Sequence, residues 1–446
     1  RPLFCTYVPM LSRGQGYLRA AAGAPQLRAA AGLRPAGRTA PARAPRGLPQ
    51  ASSIGQGISM RGEPRGAEGP AGTSMHSSAA AGKTSPIRTD WTREEISEIY
   101  NMPLMSLVFE AALVHRQHFN PLEVQKSTLL SIKTGGCPET CSYCSQSASW
   151  KDETKLKAEK LMDLDSVFQA ALKAKETGST RFCMGAAWRG PSQVGPKQFE
   201  RVLDMVSKVR SLGMEVCTTL GMLNKEQAEK LKTAGLSCYN HNIDTSPEYY
   251  PSITTSRKFE DRMDTLGKVR EAGIGVCSGG IIGMGELDKD RVGMLHTLAT
   301  LPQHPESVPI NLLVPVEGTP MAKEDIKAPT AIELIRCVAT ARIVMPASNV
   351  RLSAGRNSLT MAEQGMAFMA GANSIFAGDT LLTTANVEVD TDAQMFELLG
   401  LKIKPAFDGN APDFEIPDER KKSLELAALR MKPCGSQQPL DMAAMP

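Results

Sequence analysis

The chain has 446 residues, 41% of them hydrophobic, with 51 Lys and Arg against 47 Asp and Glu for a formal net charge of +4. No apolar run reaches the roughly 18 residues that a membrane span requires; the longest candidate, around Leu104 to Val114, is broken by Glu110. Ten cysteines without a secretory signal, in a chain long enough to bury a core unaided, point to reduced thiols and metal binding rather than disulfides, and the expectation is a soluble enzyme.

The charge is unevenly spread. Residues 1–88 hold 11 Arg and Lys83 against Glu63 and Glu68, a net +10, which leaves 39 basic and 45 acidic residues, a net −6, on the remainder. This leader of Ala, Gly, Pro and Arg, with repeats such as Leu-Arg-Ala-Ala-Ala-Gly, has no apolar periodicity that could pack a core. It reads as a transit peptide and spacer, for a mitochondrion or, alternatively, a plastid. The competing reading is an arginine arm for nucleic acid or an anionic membrane. Aromatic interleaving and an amphipathic stripe are both missing, so neither partner is expected.

The texture changes at about Thr89. Residues 89–405 read as a catalytic body with an N-terminal helical extension, and 406–446 as a tail. After a β-prone run from Thr128 to Ile132 comes Gly-Gly-Cys-Pro-Glu-Thr-Cys-Ser-Tyr-Cys. Cys137, Cys141 and Cys144, in C-x3-C-x2-C spacing, can hold three corners of a 4Fe-4S cube that normally takes four cysteines. One iron is then open to a substrate or cofactor. Structural zinc wants a second Cys/His pair, which this chain lacks, and a disulfide would strand the third thiol.

Farther on, Leu164, Val167, Phe168, Ala171 and Leu172 form a helical stripe, closed by Gly178 and followed by the β-prone run from Thr180 to Met184. The same punctuation recurs: Gly213 before Met214 to Cys217, Gly235 before Leu236 to Tyr239, Gly273 before Ile274 to Cys277, and Gly371 before Asn373 to Phe376. With Val308 to Val314 and Asn349 to Leu352 there are eight candidate strands. Strands alternating with helices imply right-handed βαβ units, and eight of them predict an α/β fold, a TIM-type (β/α)8 barrel, with its site at the carboxyl ends of the strands.

Cys183, Cys217 and Cys277 fall four or five residues after a helix-ending glycine on three different strands. Any one of them reads as a small buried hydrophobe. Alternate strand residues share a face, however, so the three can point inward at one depth and hold a second iron-sulfur cluster if a fourth ligand exists. Spacing does not exclude Cys238. Cys5, Cys337 and Cys434 are assigned no role.

Asn240-His241-Asn242-Ile243-Asp244 closes the fourth strand. If the run stays extended, Asn240, Asn242 and Asp244 present two amides and a carboxylate on one face, suited to a ribose diol or a urea-like group; an Asx-rich turn is the plainer reading. Gly279 to Glu286, rich in glycine, lets backbone approach a flat ligand but lacks the spacing of a phosphate or dinucleotide loop. Arg351 lies inside an otherwise apolar strand, where an unpaired charge is costly; Arg356 follows in the same run.

Taken together, these residues resemble the radical S-adenosylmethionine superfamily and, within it, the biotin synthase family. The runs that carry the resemblance are residues 129–144, 178–188, 239–248, 276–286, 306–311, 350–356 and 369–376, and it covers roughly 90–395. It implies that Cys137, Cys141 and Cys144 bind a 4Fe-4S cluster whose open iron chelates S-adenosylmethionine. Tyr143, Ala186, Asn242, Asp244, Arg262 and Ile281 match positions around that cofactor. Asn242 and Asn311 match residues that grip the ureido ring of dethiobiotin, and Thr383 and Thr384 the segment near its carboxylate. Cys183, Cys217, Cys277 and Arg351 match the four ligands of a 2Fe-2S cluster, the implied sulfur donor, and Cys238 matches none. An arginine ligand is unexpected, because guanidinium is protonated at ordinary pH. The implied reaction is the insertion of sulfur between two unactivated carbons of dethiobiotin, started by reductive cleavage of S-adenosylmethionine to a 5'-deoxyadenosyl radical. Its implied partners are an electron donor such as ferredoxin or flavodoxin, the iron-sulfur assembly machinery, and a second copy of the chain in a homodimer.

Overall fold

The computed structural model describes residues 87–430 apart from Asp379 and Glu388. Cys5, Cys434 and all but the last two residues of the transit-peptide reading lie outside the described residues.

Nine parallel segments form the barrel: β1 (Glu123–Lys133), β2 (Arg181–Ala186), β3 (Glu215–Thr219), β4 (Cys238–Asn240), β5 (Gly275–Cys277), β6 (Gly280–Ile282), β7 (Ser307–Leu312), β8 (Asn349–Leu352) and β9 (Ala372–Ala377). β5 and β6 are two halves of one stave. β5 joins β4 to β7 through Cys277 and Ser307, and β6 continues along β7 from Gly280 opposite Ile310. Pairing of β1 with β9, from Gln125 and Ser374 to Thr128 and Ala377, closes the ring at eight staves. The TIM-type barrel expected from the strand and helix alternation is what the chain forms.

The punctuation by glycine has a local cause. The helix Leu164–Glu176 begins at Asp163, whose side chain accepts from the Ser166 amide, and Gly178 beyond it takes φ +87°, a conformation costly for any residue with a Cβ. Every residue of β2 is buried, as a strand covered on both faces should be.

The break between β5 and β6 was not legible as a break. There Gly279 and Gly280 pack backbone to backbone: a Cβ on Gly279 would run into the Pro309 carbonyl, and one on Gly280 into Met294 and the Asp244 carbonyl. These two glycines are required by packing of neighbouring staves, which corrects the expectation that they clear room for a flat ligand.

Two helices, Arg93–Tyr100 and Leu104–His118, precede the barrel, the first opened by a reciprocal Thr92 and Glu95 cap. Arg336 ties their junction to the barrel helix Ala331–Val344 by donating to the Met102 carbonyl at 2.8 Å, and Cys337 is buried beneath Tyr100. After β9 a short antiparallel hairpin, β10 (Thr380–Leu381) and β11 (Thr384–Ala385), reaches over the carboxyl ends of the strands. β12 (Lys402–Ile403) pairs with the first residues of β1 at the opposite end. Among the described residues no helix is long and apolar enough to cross a membrane.

Candidate active site

The loop after β1 is folded by its own backbone. The Cys137 amide donates to the Gln146 carbonyl at 2.9 Å, the Ala148 amide returns to the Cys137 carbonyl at 2.7 Å, and the Cys144 amide donates to the Cys141 carbonyl at 3.0 Å. Trp150 donates to the Cys141 carbonyl at 3.2 Å, and the Ser142 amide to the Ile253 carbonyl at 2.9 Å, so the loop is held from two sides. Burial pushes the Cys144 thiol up to about 12 and raises that of Cys137; these thiols ionise once irons supply positive charge. The guanidinium of Arg257 lies 3.7 Å from the Cys141 sulfur. Behind the loop Glu139 is buried between Arg189 at 3.3 Å and Arg257 at 3.5 Å.

The second thiol set sits in the barrel wall. Cys183 and Cys217 are direct partners in the β2 to β3 register, Cys217 and Cys238 in β3 to β4, while Cys277 faces Asn240 across β4 and β5. All four are buried and pack in one cluster with Phe376 and Leu381. The neighbouring Cys217 thiol holds those of Cys183 and Cys277 below their usual range, while Cys217 itself is pushed well up. Arg351, from β8, spends Nε on Ser374 at 2.9 Å and Nη2 on Gln125 at 3.1 Å and Ser127 at 3.3 Å. Nη1 is left without a protein hydrogen bond, and no carboxylate pairs with Arg351, among the described residues. Its guanidinium carbon stands 4.6 Å from the centre of the Phe376 ring.

Both sets open on one cavity of about 350 Å³, which is lined by every sequence-predicted site residue except Cys277, a size suited to a small-molecule site. The Asn240 to Asp244 run does not stay extended: β4 stops at Asn240, and Asp244 takes φ +67°. Asn240, Asn242 and Asp244 still line the cavity, with different partners. Asn240 donates to Thr219 at 3.0 Å, Asn242 accepts from the Gly279 amide at 3.2 Å, and Asp244 forms a buried ion pair with Arg262. Across from them the Asn311 amide donates to the Gly280 carbonyl at 2.9 Å and its oxygen accepts from the Ala354 amide at 3.2 Å. Thr383 shares a hydrogen bond of 3.0 Å with Ser145, which ties the hairpin to the cysteine loop, while Thr384 donates to the Leu381 carbonyl at 3.2 Å. Tyr143, Ala186 and Ile281 form apolar wall.

Sequence reasoning missed Glu139, Arg257 and Gln125. Glu139 lies between two of the loop cysteines, a signal that was available; Arg257 and Gln125 carry none, because their partners are 116 and 226 residues away. It also left His241 unassigned. This histidine is buried against the cavity, kept uncharged by burial and by Arg262 and Arg257, and its Nε2 has no partner among the described residues.

A barrel with a C-x3-C-x2-C loop at the carboxyl end of its first strand defines a radical S-adenosylmethionine protein, and residues 131–298 match the family model of the radical SAM superfamily. Residues 309–402 match the Biotin and Thiamin Synthesis associated domain. The chain is 59% identical over 331 residues to biotin synthase of Cytophaga hutchinsonii, covering 74% of this chain and 96% of that protein. It is 56% identical over 342 residues to the mitochondrial biotin synthase of Arabidopsis thaliana, covering 76% and 87%. The chain belongs to the biotin synthase family. Among solved structures the fold is similar to methylornithine synthase, with a TM-score of 0.60, 17% identity, and coverage of 71% and 94%. It is also similar to the FeFe-hydrogenase maturase HydG of Carboxydothermus hydrogenoformans, with a TM-score of 0.60, 16% identity, and coverage of 71% and 76%.

Proposed function

We propose that the chain converts dethiobiotin to biotin, with a 4Fe-4S cluster on Cys137, Cys141 and Cys144 and a 2Fe-2S cluster on Cys183, Cys217, Cys277 and Arg351 as the sulfur donor. The observation that carries this reading is that two separate thiol sets, one on a loop and one in the barrel wall, border the same cavity. The donor sets fit the two groups: three thiols leave one iron of a cube free, and three wall thiols with the unspent Nη1 of Arg351 make four ligands. Among the described residues, no three His, Cys, Asp or Glu side chains converge as they would on a single ion; cysteines bound to different irons of a cluster stand farther apart.

When bound, the outer cluster with S-adenosylmethionine supplies a radical that removes hydrogen from the substrate, and the inner cluster supplies sulfide. The barrel's own residues do the rest. Tyr143 and Ile281 give the adenosyl group an apolar wall, and the Asp244 and Arg262 pair fixes charge beside it. Asn242 and Asn311, each tied to the Gly279 and Gly280 backbone, are pre-set to bond a ureido ring between the two thiol sets. Thr383 and Thr384 offer hydroxyls to a carboxylate, and their hairpin, latched to Ser145, shelters the cavity from water.

An electron donor such as ferredoxin or flavodoxin, loading by the iron-sulfur assembly machinery, a homodimer, and a mitochondrial location with the plastid as alternative complete the reading; the mitochondrial relative and the basic leader support the location. A radical enzyme that rearranges or methylates an amino acid would share the loop but has no use for the wall thiols. The test is Cys183→Ala under anaerobic conditions: S-adenosylmethionine is still cleaved, and biotin does not form. Undiminished biotin yield would refute the sulfur-donor role.

A further inference from the structure

Residues 402–414 cross the end of the barrel opposite the cavity. β12 lies against Glu123 and Val124 at the start of β1. Lys404 then reaches the side-chain oxygen of Asn349, the first residue of β8, at 3.5 Å, and the Phe407 amide donates to Oε1 of Glu215, the first residue of β3, at 2.9 Å. Arg210 holds the next stretch. It donates to the Pro412 carbonyl at 2.7 Å, and its guanidinium lies 4.4 Å and 5.1 Å from the rings of Phe407 and Phe414. Phe414 fills the space above Gly235, where a Cβ would meet its ring. Beyond it Arg420 and Ser423 both bond Asp204, at 3.2 Å and 2.6 Å.

The segment is held in a costly shape. Phe407 and Asp408 have φ +53° and +55°, left-handed conformations that persist only where surroundings over-determine them. Glu215 is the point they are aimed at. Its other oxygen accepts from Arg181 Nε at 2.7 Å and Gln125 Nε2 at 3.1 Å, and Gln125 in turn accepts from Arg351 Nη2 at 3.1 Å. Arg181 and Glu215 precede Cys183 and Cys217 by two residues and share their strand faces, so this network lies one layer beneath the wall thiols.

We infer that residues 402–414 are a strap that forms the floor of the inner thiol site. The strap closes the amino end of the barrel and, through Glu215 and Gln125, positions the guanidinium of Arg351, so it sets how long a cluster on Cys183, Cys217 and Cys277 survives. The inference rests on the two-cluster reading above.

The test uses full-length protein, reconstituted anaerobically, in three forms: wild type, Arg210→Ala/Phe414→Ala to loosen the strap, and Glu215→Gln to cut the network with the strap in place. Iron, sulfide and cluster absorbance are followed after chelator addition, with hydrogen exchange of residues 402–414 in parallel. Both variants should lose the inner cluster several-fold faster than wild type and keep the outer one at the wild-type rate; exchange should rise in the double variant alone. Equal inner-cluster lifetimes in all three proteins would overturn the strap's role, as would a strap whose exchange ignores the loss of both anchors. A wild-type protein that takes up only the outer cluster would overturn the two-cluster reading itself.

Discussion

Cys183 and Cys217 stand directly opposite one another across β2 and β3, both buried in one cluster. Register alone brings them together: each lies two residues past a buried charged group, Arg181 and Glu215, which themselves pair. Removing either thiol therefore takes a donor from the inner site without disturbing the loop at the cavity mouth. Cys217→Ala should fall to about two-thirds of the wild-type iron and labile sulfide, about four of each per chain, and still cleave S-adenosylmethionine, as read by iron and sulfide analysis and by 5'-deoxyadenosine.

Cys238 separates contact from ligation. It packs in one buried cluster with Cys183, Cys217 and Cys277, and on the two-cluster reading it serves packing alone, so Cys238→Ala should keep the full iron and sulfide content and lose about 1 kcal/mol of stability from the small void. Denaturant titration and metal analysis check the two halves.

The Asp244 and Arg262 pair is buried on both sides. Arg262→Ala leaves a carboxylate without its partner, at a cost of about 3–5 kcal/mol, and the binding of S-adenosylmethionine should weaken along with stability. Thermal melts with and without the cofactor read both; an unchanged melt would show that the pair carries no weight.

Asn311 holds the Gly280 carbonyl and the Ala354 amide. With neutral hydrogen bonds worth about 0.5–1.5 kcal/mol each, Asn311→Ala should raise the dethiobiotin concentration for half-maximal rate several-fold. Cleavage of S-adenosylmethionine in the absence of dethiobiotin should be unchanged.

His115 gives the pH dependence a defined sign. Burial, then Arg342 and Arg116, lower it from 6.5 to about 3 in the folded chain. Below pH 6.5 the unfolded chain takes up a proton that the folded chain refuses, so stability falls on acidification through that window, by at most about 1.4 kcal/mol per pH unit for this residue. His115→Gln should flatten the pH 6.5 to 4 limb of the denaturation midpoint.

The barrel was legible because its local signals agree: a helical segment, a glycine forced to positive φ, and a β-prone run recur at five of the eight staves. The outer thiols were legible because their spacing is local. The inner set could be suspected from equal distances after helix-ending glycines, but Arg351 as its fourth member came only from resemblance, since no spacing rule links a guanidinium to three cysteines. For Asp244 the sequence left an extended run and an Asx-rich turn both open; it turns, with its carboxylate paired to Arg262 on the later helix Phe259–Glu271. Glu215 and residues 402–414 were opaque, for their meaning lies in contacts between segments 192 residues apart.

The central claim is that this cavity makes biotin. Reconstituted protein given dethiobiotin, S-adenosylmethionine and a reductant without oxygen should yield biotin, detected by mass, together with methionine and 5'-deoxyadenosine. Cleavage of S-adenosylmethionine by fully loaded protein with dethiobiotin recovered intact would contradict it.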